Sequence, residues 1–122
     1  MSKRLLIVDD ALIMRMRIRE IAVKSGWEVV GEAACGEEAI EMFRKLVPDL
    51  VTMDIVMPSM DGVEALRAIR ALEPRARVCM VSAVNQREKL GECVRLGAID
   101  FIVKPFERVR LESLFDKQGR NE

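Results

Sequence analysis

One stretch decides the fold of this chain: Val51-Thr52-Met53-Asp54-Ile55-Val56-Met57-Pro58. A short apolar run with β-branched residues is typical of a buried parallel strand, and Pro58 prevents the strand from simply continuing. We therefore predict a strand over 50–54. Asp54 then lies at the carboxyl end of that strand, where open α/β sheets bind their ligands.

The rest of the chain repeats this pattern, with one strand followed by one helix five times. Strands are predicted over 5–8, 27–32, 50–54, 77–81 and 100–103, and helices over 11–25, 37–46, 63–72, 86–96 and 107–115. Such alternation predicts a parallel sheet with right-handed crossovers and helices on both faces. We expect Leu90, Val94 and Leu96 on the buried side of the fourth helix, and a frayed end over 117–122.

Polar side chains follow four of the five strands: Asp9 and Asp10, Asp54, Ser82, and Lys104. Parallel strands bring these ends to one edge of the sheet, where three carboxylates repel one another unless a cation is present. Hard oxygen ligands favour Mg²⁺, and a lysine suits a phosphoryl oxygen. The set predicts an acyl phosphate on Asp54. Two alternatives remain open: an acid cluster without chemistry, and Asp10 as a simple helix cap.

Composition limits the class of protein. A chain of 122 residues forms one domain, which we place over 1–122, and its 20 basic and 20 acidic residues cancel. Nothing in this balance indicates attraction to nucleic acid or to a membrane. The chain has no histidine, so it cannot supply a histidine base or nucleophile. Cys35, Cys79 and Cys93 lack metal-type spacing and are expected to be reduced thiols of a cytoplasmic protein.

With these residues in place, the chain resembles the receiver domain of two-component response regulators over nearly its whole length. It is most similar to stand-alone chemotaxis regulators of the CheY type. The resemblance implies a flavodoxin-like (βα)5 three-layer sandwich with the strand order 2-1-3-4-5 known for CheY-type proteins. The matching pieces, in order, are Asp9-Asp10, the Asp54 segment with Met57-Pro58 and Gly62, Ser82-Ala83, Gly97-Ala98, Phe101 and Lys104-Pro105-Phe106.

The resemblance implies a phosphorylation-activated signalling switch, not an enzyme beyond Mg²⁺-dependent self-phosphorylation from small donors and slow self-dephosphorylation. Asp54 would accept the phosphoryl group from a histidine kinase, which fits a chain without histidine. Asp10, Asp54 and the backbone carbonyl of Val56 would ligate Mg²⁺, with Asp9 acting mainly through water. Lys104 and Ser82 would each contact a phosphoryl oxygen.

Switching and partners are also implied by the resemblance. Phe101 would turn inward as Ser82 moves, and would gate a target-binding face formed by the fourth helix, fifth strand and fifth helix. The 104–105 peptide would be cis, which only an X-Pro bond adopts cheaply. Two positions depart from the commoner family pattern, because Ser82 replaces threonine and Phe101 replaces tyrosine.

The kinase would dock on the face of the first helix carrying Leu12, Arg15 and Arg19 and on the Lys104-Pro105 loop. The alternative for that helix face is a solvated surface with one exposed leucine. The resemblance also implies that Val56 and Val84 border the path of the attacking water, and both are apolar here; the alternative is that they point aside and only pack. Neither side chain can hydrogen-bond an attacking water, so loss of phosphate should be slow. A separate phosphatase is therefore a further expected partner.

Other classes of function fit less well. A haloacid-type phosphatase needs a carboxylate two residues after its nucleophile, where this chain has Val56. A flavoprotein needs a phosphate loop after the first strand, and Asp9-Asp10 would repel a flavin phosphate. A receiver cut from a transcription factor stays open as the alternative, although the chain carries no DNA-binding motif.

Overall fold

Five parallel strands alternate with five helices in the computed structural model, which describes residues 3–83 and 85–120. The fold is therefore the (βα)5 arrangement that the sequence predicts. The elements are β1 (Arg4–Val8), α1 (Leu12–Lys24), β2 (Glu28–Ala33), α2 (Gly36–Leu46), β3 (Leu50–Met53), α3 (Gly62–Leu72), β4 (Val78–Ala83), α4 (Arg87–Arg95), β5 (Asp100–Lys104) and α5 (Arg108–Arg120).

The sheet has the order β2-β1-β3-β4-β5, with all neighbouring strands parallel. This confirms the expected order and places β3 at the centre. Two hydrophobic clusters cover the two faces, which gives three layers. Helices α2, α3 and α4 contribute Phe43, Leu66 and Leu90 to one cluster, and α1 and α5 contribute Ile18 and Phe115 to the other.

The central strand β3 is covered by helices on both faces, which explains its mostly apolar sequence. Val51 and Met53 belong to the cluster under α2, α3 and α4, whereas Leu50 belongs to the cluster under α1 and α5. A strand covered on both faces needs apolar side chains on both, so the usual alternation with polar residues is absent. Asp54 is the first residue after this strand, so it lies at the carboxyl edge of the sheet.

Two expectations about helices are wrong. Val94 is 56% exposed on the outer side of α4, although Leu90 on the same helix is buried. The chain also does not fray from Lys117, because α5 continues to Arg120. Gln118 is buried, and both its backbone and side-chain oxygens accept hydrogen bonds from Arg77 Nη1, which anchors the end of the helix. Residues 121–122 lie outside the described part of the chain.

Across the described ranges, every helix is too short or too polar to cross a membrane. Each of the three cysteines, Cys35, Cys79 and Cys93, is a free thiol. Burial raises the pKa of the Cys93 thiol to about 11, and it also raises the pKa of the Cys79 thiol. Both thiols are therefore protonated components of the core at neutral pH, as a structural role requires.

Candidate functional site

Three carboxylates meet at the carboxyl edge of the sheet. Asp9 and Asp10 follow β1, Asp54 follows β3, and these strands are paired in register up to Val8 and Met53. One oxygen from each carboxylate lies within 4.8 Å of the others. Asp9 is fully buried and Asp54 is 7% exposed, whereas Asp10 is exposed. The cluster is thus a pocket that opens to solvent on the Asp10 side.

Lys104 reaches this pocket from the end of β5. Its Nζ donates to Asp9 Oδ2 at 2.8 Å and lies 3.5 Å from Asp54 Oδ1. The second oxygen of Asp9 accepts a hydrogen bond from the Ala11 amide at 2.9 Å. The Lys104–Pro105 peptide that follows is cis, as expected. Both oxygens of Asp9 are therefore engaged by the protein, which leaves Asp10 and Asp54 as the freer carboxylates.

The electrostatics of Asp54 reflect this crowding. Its pKa is raised from 3.8 to about 6, first by burial and then by the negative charges of Asp9 and Asp10. The ammonium of Lys104 and a hydrogen bond from the Ile55 amide oppose it only in part. One ammonium does not balance three carboxylates, and hard oxygens at this spacing are the ligand type that Mg²⁺ takes. The residues present therefore fit a magnesium ion.

The loop after β3 is packed tightly against the backbone of Asp54. The Gly62 amide donates to the Ile55 carbonyl at 2.7 Å, and a Cβ atom on Gly62 would lie 2.0 Å from the Asp54 carbonyl oxygen. Only glycine fits at this position. Asp61 caps α3 by accepting from the Glu64 amide, and its other oxygen pairs with Lys89 of α4 at 3.2 Å. The loop thus connects the peptide of Asp54 to two helices.

The two residues expected to control the switch, Ser82 and Phe101, lie on the neighbouring strands β4 and β5. Ser82 is buried within β4, and its hydroxyl donates to the carbonyl of Ala83 at 3.2 Å. Phe101 on β5 is 42% exposed and lines an apolar groove together with Leu90, Val94 and Val103. The hydroxyl therefore makes a local hydrogen bond, and the ring faces outward beside α4.

Val56 and Val84 are the two residues expected to border the path of the attacking water. Val56 is 53% exposed on the loop after β3, so its side chain is accessible beside Asp54. Val84 lies outside the described residues.

The exposed side of α1 contains one contact that sequence reasoning missed. Leu12 is 59% exposed, but the Arg15 and Arg19 guanidinium groups both pair with Glu32 at the end of β2. Burial raises the pKa of Glu32, yet the hydrogen bonds from Arg19 and Arg15 outweigh it and hold the value below the usual range. Arg15 also donates through Nη1 to the carbonyl of Asp9 at 2.7 Å. A contact across such sequence distances leaves no local pattern that could predict it.

Comparison with known proteins identifies the family to which the chain belongs. The model of the family described as "Response regulator receiver domain" matches residues 5–116. The chain is 47% identical to the chemotaxis protein CheY of Thermotoga maritima over 98% of this chain and 100% of that protein. It is 49% identical to the CheY of Bacillus subtilis, over 96% and 98% of the two chains. These matches do not favour the alternative of a receiver from a transcription factor.

A solved structure gives the same result for the fold. A chain in the crystal structure of the CheX–CheY–BeF3–Mg²⁺ complex from Borrelia burgdorferi superposes with a TM-score of 0.88 at 34% identity. The superposition covers 98% of this chain and 89% of that chain.

Proposed function

Because the chain belongs to the response regulator receiver domain family, we propose that Asp54 accepts a phosphoryl group from a phosphohistidine on a partner kinase. The protein is a two-component signalling module whose relatives act in chemotaxis, not an enzyme of the usual kind. The observation that carries the proposal is the position of Asp54, which lies among Asp9, Asp10 and Lys104 at the open edge of the sheet.

In the transfer, the bond that forms at phosphorus replaces the bond that breaks there. An oxygen of Asp54 attacks phosphorus, a P–O bond forms, and the P–N bond to the donor imidazole breaks with its electron pair on nitrogen. The carboxylate must be ionised to attack, and its pKa of about 6 leaves it mostly ionised at neutral pH. In hydrolysis a water oxygen attacks phosphorus, and the P–O bond to Asp54 breaks with its electron pair on the carboxylate. The water protons remain on the inorganic phosphate or pass to solvent. We infer that both reactions are slow when no partner takes part.

The remaining side chains hold the phosphoryl oxygens. Lys104 lies 3.5 Å from Asp54 Oδ1 and can shift from Asp9 to a new phosphoryl oxygen. Ser82 can rotate its hydroxyl from the Ala83 carbonyl toward another. Asp10, Asp54 and the carbonyl of Val56 would hold Mg²⁺, while Asp9 acts through water, because its own oxygens are already engaged. Bound Mg²⁺ supplies positive charge that offsets the charge on the transferring phosphoryl group.

The surfaces proposed for partner proteins are those that carry exposed apolar or aromatic side chains. We propose that the kinase docks on the α1 face with Leu12, Arg15 and Arg19 and on the Lys104-Pro105 loop. Leu12 supplies exposed apolar area, and the two arginines lie at the edge of this face beside Glu32. A protein target would occupy the face formed by α4, β5 and α5, where Phe101 is the exposed aromatic residue. A separate phosphatase would end the signal.

The bounds of the domain and its cellular compartment are also proposed. We take residues 1–122 as one receiver domain, of which the family model matches 5–116. The free thiols of Cys35, Cys79 and Cys93 fit a reducing compartment, and we propose the cytoplasm.

The test is direct phosphorylation of the purified protein. Incubation with acetyl phosphate and Mg²⁺ should add one phosphoryl group by intact mass, and Asp54→Asn should abolish the adduct. Asp116→Asn removes an exposed carboxylate on α5 and is the matched control, which should react like the parent. An adduct that forms on Asp54→Asn as readily as on the parent would remove Asp54 from the role of phosphoacceptor.

A further inference from the structure

We propose that Arg15 is a positioning residue for the acid pocket, in addition to any part in docking; this inference rests on the proposed function. Its Nη1 donates to the backbone carbonyl of Asp9 at 2.7 Å. Its side chain is only 17% exposed, although it lies on the outer side of α1. The guanidinium therefore points toward the loop between β1 and α1, not away from the protein.

That carbonyl belongs to the peptide that joins Asp9 to Asp10. A peptide unit is planar, so fixing its carbonyl oxygen also fixes the direction of the next amide and Cα. Asp10 is exposed and lies before Ala11, the N-cap residue of α1, so hydrogen bonding within the helix does not fix its backbone. The Asp9 amide bonds to the Ala33 carbonyl at 3.0 Å, and the Arg15 contact holds the same residue from its other side. Arg15 thus constrains the backbone from which the Asp10 carboxylate projects.

Glu32 holds Arg15 in this orientation. Arg15 Nε donates to Glu32 Oε1 at 2.9 Å while Nη1 contacts Asp9, so two bonds fix the plane of one guanidinium. Glu32 is paired in register with Ile7 on the neighbouring strand β1, which gives the anchor a rigid base. A lysine has a single ammonium in place of this planar fork and cannot reproduce both bonds in the same geometry. Arg19 occupies the second oxygen of Glu32 and completes its pairing.

A small phosphoryl donor separates positioning from docking, because acetyl phosphate uses no docking surface. Groups that orient metal ligands typically change metal affinity by 10- to 100-fold when removed, and a contact to the backbone beside a ligand should have a smaller effect of about fivefold. We therefore expect Arg15→Ala to raise the Kd for Mg²⁺ by about fivefold. Its rate with acetyl phosphate should fall by a similar factor at low Mg²⁺ and recover at saturating Mg²⁺.

The experiment compares four proteins by Mg²⁺ titration calorimetry, at a temperature where thermal melts show every variant folded. Lys24→Ala removes an exposed cation from the same helix, where it pairs only with Glu20 among the described residues, and should match the parent. Arg15→Lys should lie between Arg15→Ala and the parent. Hydrogen exchange adds a readout without metal: the Ala11 amide, which bonds to Asp9, should exchange faster in Arg15→Ala.

Failure of the positioning role and failure of the proposed function give different results in this experiment. An Mg²⁺ affinity within about twofold of the parent, with unchanged exchange at Ala11, would overturn the positioning role even if the melting temperature falls. If Arg15→Ala does not fold, Glu32→Gln keeps the arginine, weakens its anchor, and should speed exchange of the Ala11 amide; unchanged exchange at Ala11 would then overturn the inference. A parent protein that neither binds Mg²⁺ nor accepts a phosphoryl group would instead overturn the proposed function.

Discussion

Replacing Asp54 with asparagine should stabilise the protein in the absence of metal. The pKa of the Asp54 carboxyl is raised from 3.8 to about 6, first by burial and then by the charge of Asp9. Ionising this group is therefore harder in the folded state than in the unfolded chain. At neutral pH the penalty corresponds to about 3 kcal/mol of unfolding free energy, which the neutral amide of asparagine avoids.

The sign of the pH dependence follows from proton binding. Between the unfolded value of 3.8 and the folded value of about 6, the folded parent holds more protons than the unfolded chain. Its stability therefore falls as pH rises through this window, and the contribution is fully lost above it. The gain from Asp54→Asn should be about 3 kcal/mol at pH about 7.5, or roughly 10 °C in melting temperature for a domain of this size, and should shrink toward zero near pH 4.

Urea unfolding in EDTA measures this gain at each pH. Trp27 is buried, and its ring centroid lies 5.9 Å from that of Phe115, so its fluorescence reports loss of the core. Asp116→Asn is the control for removal of one surface charge, and should change stability by less than about 0.5 kcal/mol. If Asp54→Asn is less stable than the parent at neutral pH, or its gain does not change with pH, the electrostatic explanation fails.

Three further outcomes are expected. Val47 follows α2 with φ 44°, which is strained for a β-branched residue, so Val47→Gly should gain about 1 kcal/mol in urea unfolding. The same change at exposed Val23 in the last turn of α1 should instead lose about 0.4 kcal/mol from helix propensity. Val56→Asn should speed loss of phosphate about tenfold in a phosphate-release assay, since its amide can orient water. Phosphorylation should shift amide resonances from Ser82 to Phe101 and α5; shifts limited to the acid cluster would contradict the switch.

The sequence predicts well those elements whose burial leaves a pattern in consecutive residues. Strands such as β3 are buried on both faces, so their apolar runs are unbroken and end sharply at a polar residue. The approach of Asp9, Asp10, Asp54 and Lys104 then follows from parallel topology alone. The family resemblance supplied the strand order, which apolar periodicity does not encode.

The remaining features depend on contacts between distant residues. Arg15 reaches Asp9 and Glu32 through long-range hydrogen bonds, and no spacing rule marks such partners. The prediction for Val94 is wrong because α4 is short and mostly polar, so the spacing of its few apolar residues does not separate the buried side from the exposed side. Gln118 is buried through its bonds to Arg77, an arrangement that cannot be predicted from a polar helix end.

The contact between Gly62 and Asp54 has a mechanical consequence. Because a hypothetical Cβ on Gly62 would lie 2.0 Å from the Asp54 carbonyl oxygen, almost no slack separates that peptide from the start of α3. The neighbouring Asp61 is tied to Lys89 on α4 at 3.2 Å. A displacement of the Asp54 carbonyl toward α3 would therefore press on Gly62 and move the start of that helix, whereas the partly exposed Asp61–Lys89 pair is a weaker link to α4.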